Sequence, residues 1–328
     1  MADRARGFPA EALPLLRCPV CGTGFSADGD SLHCLSGHSY DVARQGYVNL
    51  LPGGARPGTA DTADMVAARE SFLVAGHFSG LRDFVCDAAG RAAARQGAGA
   101  EAGGDGGAQG GEGPPEGCIL EVGAGTGYYL AAVLDRFPGR LGLALDISKF
   151  AARRAARAHE RMAAVVCDAW DALPVADASA SLILDIFAPR NAVEFRRVLR
   201  ADGALLVVTP SPRHLEELVA TLGLLKVDER KPERLERALA ADFTLVDQRT
   251  YEERPRLSPA DAGALAAMGP SAHHVRAEEV AGRLAALGEV VDVTLSVVAS
   301  TYAPRTAWHP IQDLLITSER ISAANRLR

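Results

Sequence analysis

The sequence predicts a doubly wound, Rossmann-like α/β domain behind a small cysteine-rich N-terminal unit. Three observations predict it. From Cys118 onward, short and nearly continuous apolar segments alternate with helical periodicity, the pattern of parallel strands covered by helices on both faces. The first such segment, Cys118–Val122, runs into a glycine turn and then a helix. Of six cysteines, Cys18, Cys21 and Cys34 crowd near the start, whereas Cys86, Cys118 and Cys167 are scattered.

Along the chain, residues 1–58 form the first expected unit, rich in Cys, Gly and His with short strand-like pieces. Residues 59–96 read as a helical connector. Asp61 or Thr62 can cap a helix carrying Met65, Val66, Phe72 and Leu73, and a second helix begins near Ser79 with Leu81, Phe84 and Val85. Residues 97–117 include ten glycines and four charged residues, all acidic, with nothing aliphatic beyond alanine. Such a segment cannot offset its ordering entropy by burial and is expected to be a flexible, dispensable linker. Residues 118–328 form the α/β unit. Its strands are expected at Cys118–Val122, Leu141–Leu145, Ala164–Cys167, Leu182–Phe187 and Ala204–Thr209, and its helices at Tyr128–Arg136, Ser148–Arg161, Arg190–Leu199 and Pro212–Leu222. The tail adds a strand at Phe243–Tyr251, helices near Pro259–Ala267 and Glu278–Leu287, and a strand at Val290–Tyr302, compatible with closure by an antiparallel strand.

Composition narrows the class. With 328 residues, 48% apolar and 23% charged, the chain is an ordinary globular one. No apolar run reaches the length of about 18 residues that a membrane span needs. The start, Met1 to Pro9, has no apolar core of a signal peptide, so a cytoplasmic location is expected. The net charge of −6 is not that of a general polyanion binder, so any nucleic-acid contact must come from local patches.

The clustered cysteines follow the pattern C-x2-C-x12-C-x3-H through Cys18, Cys21, Cys34 and His38. Two close pairs joined by a short excursion suit tetrahedral Zn²⁺. All four positions are filled by protein, so the metal is expected to be structural. His33 lies nearby but is less well placed.

The principal functional signal is Leu120-Glu121-Val122-Gly123-Ala124-Gly125-Thr126-Gly127-Tyr128-Tyr129. The spacing G-x-G-x-G departs from the dinucleotide fingerprint G-x-G-x-x-G, whose third glycine position holds Tyr128. Glu121 before the loop suits a cationic ligand better than a pyrophosphate. The second strand ends at Asp146, which can accept ribose hydroxyls or cap the following helix. The third ends at Asp168-Ala169-Trp170, where Asp168 can accept an adenine amino group. These strand ends converge on the carboxyl edge of a parallel sheet, the pattern of an S-adenosylmethionine (SAM) methyltransferase. The fourth ends at Asp185-Ile186-Phe187-Ala188-Pro189. Phe187 there suits either stacking on a flat base or core packing. Asp185 is the candidate general base by position, or a capping or cofactor-shell residue. His214, after the fifth strand, faces the donor or caps a turn. Arg153, Arg154, Arg157 and Arg161 share one helix and offer a phosphate-facing patch or a solvated face.

Together with Asp41–Leu51, Asp64–Arg69, Gly76–Phe78, Phe187–Pro189 and Thr209–His214, these motifs resemble the RlmA family of 23S rRNA guanine-N1 methyltransferases. Asp41–Leu51, Val193–Thr209 and Met268–Ser271 are most similar to its tylosin-resistance branch, TlrB. The resemblance implies that Phe78, Tyr129, Leu130 and His214 also line the SAM pocket. It implies a 23S rRNA domain II hairpin near the macrolide site as substrate, with a homodimer among the assemblies open to it. His273 stands where that branch has an aromatic Trp. A small-molecule SAM methyltransferase with a structural zinc knuckle is the alternative, and it accounts for the acidic charge without RNA.

Overall fold

A computed structural model describes residues 7–53, 60–100, 117–223, 231–269, 280, 282–284 and 288–305. Most of the expected linker, most of the helix expected at Glu278–Leu287, and His273 lie outside them.

The N-terminal unit opens with a 3₁₀ turn at Ala10–Leu15, followed by a three-stranded antiparallel sheet of β1 (Phe25–Asp28), β2 (Ser31–Cys34) and β3 (Ser39–Asp41). β4 (Tyr47–Asn49) then leaves it and pairs in parallel with β7 (Met162–Val166). The unit is therefore not a separate bead. Val48 supplies an apolar edge strand, and Leu16, Leu32, Val42 and Leu50 pack into one core with Val165 and Val175 of the α/β unit. Two main-chain bonds fasten the junction, Arg17 N–H to the Pro174 carbonyl at 3.0 Å and Ala176 N–H to the Leu15 carbonyl at 2.8 Å.

The connector folds as expected into two helices, α1 (Ala63–Val74) and α2 (Ser79–Ala100). Thr62 is the cap, its hydroxyl accepting from the Met65 N–H at 3.2 Å. α2 runs four residues into the segment expected to be linker, through Ala100.

The main sheet adds β5 (Cys118–Val122), β6 (Gly142–Asp146), β8 (Ala180–Ile186), β9 (Leu199–Pro210), β10 (Phe243–Glu253) and β13 (Leu295–Pro304). Its order is β10-β13-β9-β8-β5-β6-β7-β4. β4 to β9 run parallel, and β13 and β10 close the sheet antiparallel. β5, β7 and β8 are buried at every position, as strands covered on both faces must be. The chain order reverses at β5, which lies between β6 and β8, and a crevice opens outside the carboxyl ends at such a switch point.

The crossovers are α3 (Tyr128–Arg136), α4 (Lys149–Ala158) and α5 (Ala192–Val198), followed by α6 (Glu216–Leu222), α7 (Lys231–Leu239) and α8 (Pro259–Ala267). A short antiparallel pair, β11 (Arg256–Leu257) with β12 (Val291–Asp292), takes up the start of the expected last strand. Thr294 breaks that strand because its N–H and hydroxyl both bond the Glu217 carboxylate. Among the described residues no helix is long and apolar enough to cross a membrane.

Candidate functional site

The metal centre is assembled by two tight turns. Gly22 N–H bonds the Cys18 carbonyl and Gly37 N–H bonds the Cys34 carbonyl, and both glycines are left-handed, with φ of 72° and 82°. The ligand atoms of Cys18, Cys21, Cys34 and His38 all lie within 4.8 Å of one another. Cys21 and Cys34 Sγ are 3.5 Å apart, and His38 Nδ1 is 3.6 Å from Cys18 Sγ and 3.3 Å from Cys34 Sγ. Zinc–ligand bonds of about 2.0–2.3 Å around a tetrahedron require edges of about 3.5–3.8 Å, so the four fit Zn²⁺ and His38 would bind through Nδ1. Side-chain hydrogen bonds from Ser36 and Thr23 lower the Cys21 thiol to about 5, toward the thiolate that a metal needs. The Tyr40 hydroxyl lies 3.6 Å from Cys18 Sγ as an outer partner.

The second site lies at the carboxyl edge. Gly123, Gly125 and Gly127 are all left-handed. A Cβ on Gly127 would meet Met162 Sδ at 2.9 Å, and one on Gly123 would meet Ala188 Cβ at 2.6 Å. Conformation and close approach thus both require glycine at these two positions. Gly127 carries no side chain to cap α3. Glu121 does it from below, Oε2 accepting from the Leu130 N–H at 3.1 Å.

Glu121 is 1% exposed. Burial, with the Asp146 and Asp185 charges behind it, holds its carboxyl well above the usual range. A folded-state pKa above the unfolded one means that stability is full below the unfolded value and is lost as pH rises toward the folded value. Glu121→Gln keeps an acceptor for Leu130 and has no charge to bury. We expect equal stability with wild type at pH 4 and a higher Tm for the variant at pH 8, read by thermal unfolding across that range. A lower Tm at pH 8 would contradict it.

Asp146 accepts twice from the main chain, at 2.8 Å from Gly125 N–H through Oδ2 and at 2.8 Å from Ser148 N–H through Oδ1. Burial raises its pKa while both bonds lower it. Each oxygen keeps a second lone pair for a ribose hydroxyl. The cap of α4 is Ser148, whose Oγ accepts from Ala151 N–H. Asp168 Oδ1 accepts from Trp170 N–H at 2.9 Å, next to half-buried Ala169. Asn191 Nδ2 holds the Trp170 carbonyl at 3.2 Å, yet the Trp170 side chain is 66% exposed.

The connector straps this edge, and the sequence did not reveal how. Ser148 Oγ donates to the Asp61 carbonyl at 2.7 Å. Arg69 is ion-paired with Asp61, donates to the Met268 carbonyl at 2.8 Å, and lies over Gly125, 3.3 Å from where a Cβ would stand. Arg69 belongs to the Asp64–Arg69 motif, but partners 8 and 199 residues away leave no local signal. Phe78 is 3% exposed and packs edge-on against Phe72 at 4.9 Å. Tyr129 stands edge-on to Tyr128 at 5.1 Å. Burial pushes its phenol well up, with the Glu121 charge adding to the shift. Leu130 is fully buried.

Phe187 is not a core residue. It is 41% exposed, has φ of 57°, and its ring lies 5.7 Å from that of His214 at 37°. A left-handed non-glycine residue costs on the order of 1–3 kcal/mol and persists where the surroundings over-determine it. His214 Nδ1 lies 3.1 Å from the Ser296 carbonyl, which orients its ring toward Phe187.

Asp185 is placed otherwise than a general base requires. Its side chain is 0% exposed and pairs with Arg190 Nε at 3.0 Å. In this arrangement the carboxylate is buried and ion-paired with Arg190, so its charge is engaged within the protein.

Comparison with known proteins bears on both sites. Residues 16–56 match the zinc-ribbon family described as RlmA, N-terminal, and residues 119–203 match a methyltransferase domain. The chain is 45% identical to the 23S rRNA (guanine(748)-N(1))-methyltransferase of Streptomyces fradiae, over 88% of this chain and 96% of that one. It is 49% identical to a Micromonospora griseorubida protein provisionally named a 23S rRNA (guanine-N(1)-)-methyltransferase, over 90% of this chain and 99% of that one. The fold is that of a Rossmann-like methyltransferase with an N-terminal zinc ribbon, and its cofactors are SAM and structural zinc. From ribbon to tail, the chain belongs to the RlmA family of 23S rRNA (guanine-N1)-methyltransferases.

Proposed function

We propose that this protein transfers a methyl group from SAM to N1 of a guanine in a domain II hairpin of 23S rRNA, near the macrolide (tylosin) site. The supporting observation is the near full-length similarity to the Streptomyces fradiae enzyme, which spans the zinc ribbon as well as the donor domain. A donor site alone does not choose an acceptor. In this reading residues 1–58 recognise RNA, the connector closes the donor site, the linker beyond α2 is a spacer, and residues 118–328 hold SAM.

We assign the donor to Phe78, Glu121, Gly123, Gly125, Gly127, Tyr129, Leu130, Asp146, Asp168, Ala169 and His214. Asp146, which accepts from the Gly125 and Ser148 N–H groups, sets a negative charge beneath the loop, suited to a ligand bearing a sulfonium and an ammonium, and such a cation would favour ionisation of Glu121. SAM supplies an electrophilic methyl; the chain's task is to present guanine N1 in line with it at about 3–3.5 Å. A paired guanine hides N1, so the base must be extruded or unpaired. Exposed Phe187, braced by His214, is the stacking surface for it. N1 must lose its proton before or during attack. Asp185 supports this step indirectly, by holding Arg190 beside the acceptor.

Asp185→Asn separates the two roles of that residue. Breaking a buried pair costs about 3–5 kcal/mol, so we expect a lower Tm and reduced kcat with the shape of the pH–kcat profile retained. Normal stability with loss of a pH-dependent limb would make Asp185 the base instead. The function itself is tested by mass mapping of 23S rRNA from cells with and without the gene. We expect one 1-methylguanosine in domain II that depends on the gene. An unchanged map would refute the reading.

A further inference from the structure

A cavity of about 530 Å³ opens between α1, α3 and α4. Its walls include Glu70 and Val74 of α1, Thr126 of the glycine loop, and Arg153, Arg154 and Arg157 of α4. None of the residues assigned to the donor lines it, but Thr126 lies between Gly125 and Gly127, so the cavity borders the donor loop from outside. We infer that this cavity seats backbone phosphates of the RNA substrate, held by Arg153 and Arg157; the inference rests on the rRNA reading above.

The four arginines of the sequence motif divide by function. Arg161 is consumed by structure, donating to the Leu134, Phe137 and Arg140 carbonyls at the end of α3 at 2.6–2.9 Å. Arg154 is neutralised by Glu70 at 2.5 Å. Arg153 and Arg157 are exposed, and among the described residues neither has an ion pair. They stand four residues apart on one helix, where like charges repel. The opposite face, Ala151, Ala152 and Ala155, is buried at 0–1% exposure and fixes the helix so that both guanidinium groups face the cavity side. An arrangement that leaves two cations unrelieved on an acidic protein suits an anion supplied from outside. Guanidinium recognises phosphate oxygens as a planar fork. The volume exceeds that of one phosphate, and the opening is broad, with Val74 at its rim 81% exposed. This suits a strand passing through rather than a small anion enclosed.

The test uses the full chain, with R153Q/R157Q against a control, R237Q/R256Q, which removes the same charge from α7 and β11. Arg237 and Arg256 are 79% and 73% exposed. Binding of a 23S rRNA domain II fragment is measured across a salt series, with SAM affinity and Tm alongside. We expect R153Q/R157Q to raise the RNA Kd on the order of tenfold. It should flatten the slope of log K against log salt by about 1.4–1.8, the contribution of two phosphate contacts. SAM affinity and Tm should stay unchanged, and the control should match wild type. A wild-type slope in R153Q/R157Q, an equal effect in the control, or a parallel loss of SAM affinity would overturn the inference while leaving the rRNA reading intact. Wild-type protein that neither binds nor methylates the RNA would overturn both.

Discussion

Removal of zinc is expected to produce the largest loss of stability. Structural zinc contributes on the order of 10–16 kcal/mol of apparent binding free energy in small modules, more than the net stability of about 3–5 kcal/mol that a single core of this size rarely exceeds. Purified protein should hold one Zn²⁺ per chain, and Cys34→Ser should abolish amide protection in β1 to β3. The damage should spread further than a separate knuckle would allow. Because β4 pairs with β7 and Leu32, Val42 and Leu50 share the core of the α/β unit, protection should also fall along β4 and β7, on the side that carries Asp168. Hydrogen exchange with and without chelator reads this. Metal-free protein with full protection in β1 to β4 would contradict it.

The second large effect belongs to Asp146. Asp146→Ala removes a charged acceptor from the N–H groups of Gly125 and Ser148, at about 1.5–3 kcal/mol for such bonds. The donor's ribose hydroxyls would lose the same carboxylate. We expect lower stability together with a SAM Kd raised on the order of ten- to hundredfold, by thermal unfolding and calorimetry. Lower stability with unchanged SAM affinity would leave Asp146 only as the clasp of the loop and of α4.

The parts of the fold that repeat locally were legible. α3 and α8 begin and end where periodicity places them, at Tyr128–Arg136 and Pro259–Ala267, because amphipathic spacing and caps are near-neighbour signals. What was not legible depends on distant partners. Three residues, Tyr47–Asn49, give no sign that they will join β7 more than a hundred residues later. Arg161 resembled a fourth member of a basic patch until its guanidinium met carbonyls 21–27 residues away. The α4 helix stops at Ala158, since His159 turns to extended backbone. α7 was missed although Leu235 and Leu239, four apart and buried, carry its signal amid dense charge. In the site, residue types at strand ends located Asp146 and Glu121, but not that each would hold the loop or helix it lies beneath. Asp185 was expected beside the acceptor by position, and its ion pair with Arg190, five residues on and beyond the strand end, carried no signal in the sequence.

The most direct test of the central claim is transfer of tritium from labelled SAM to protein-free 23S rRNA, with and without the domain II hairpin, followed by nucleoside analysis. Steep weakening with salt would accompany recognition through phosphates. The account predicts label in 1-methylguanosine only when the hairpin is present. Label at another atom, or turnover of a small molecule with none in RNA, would contradict it.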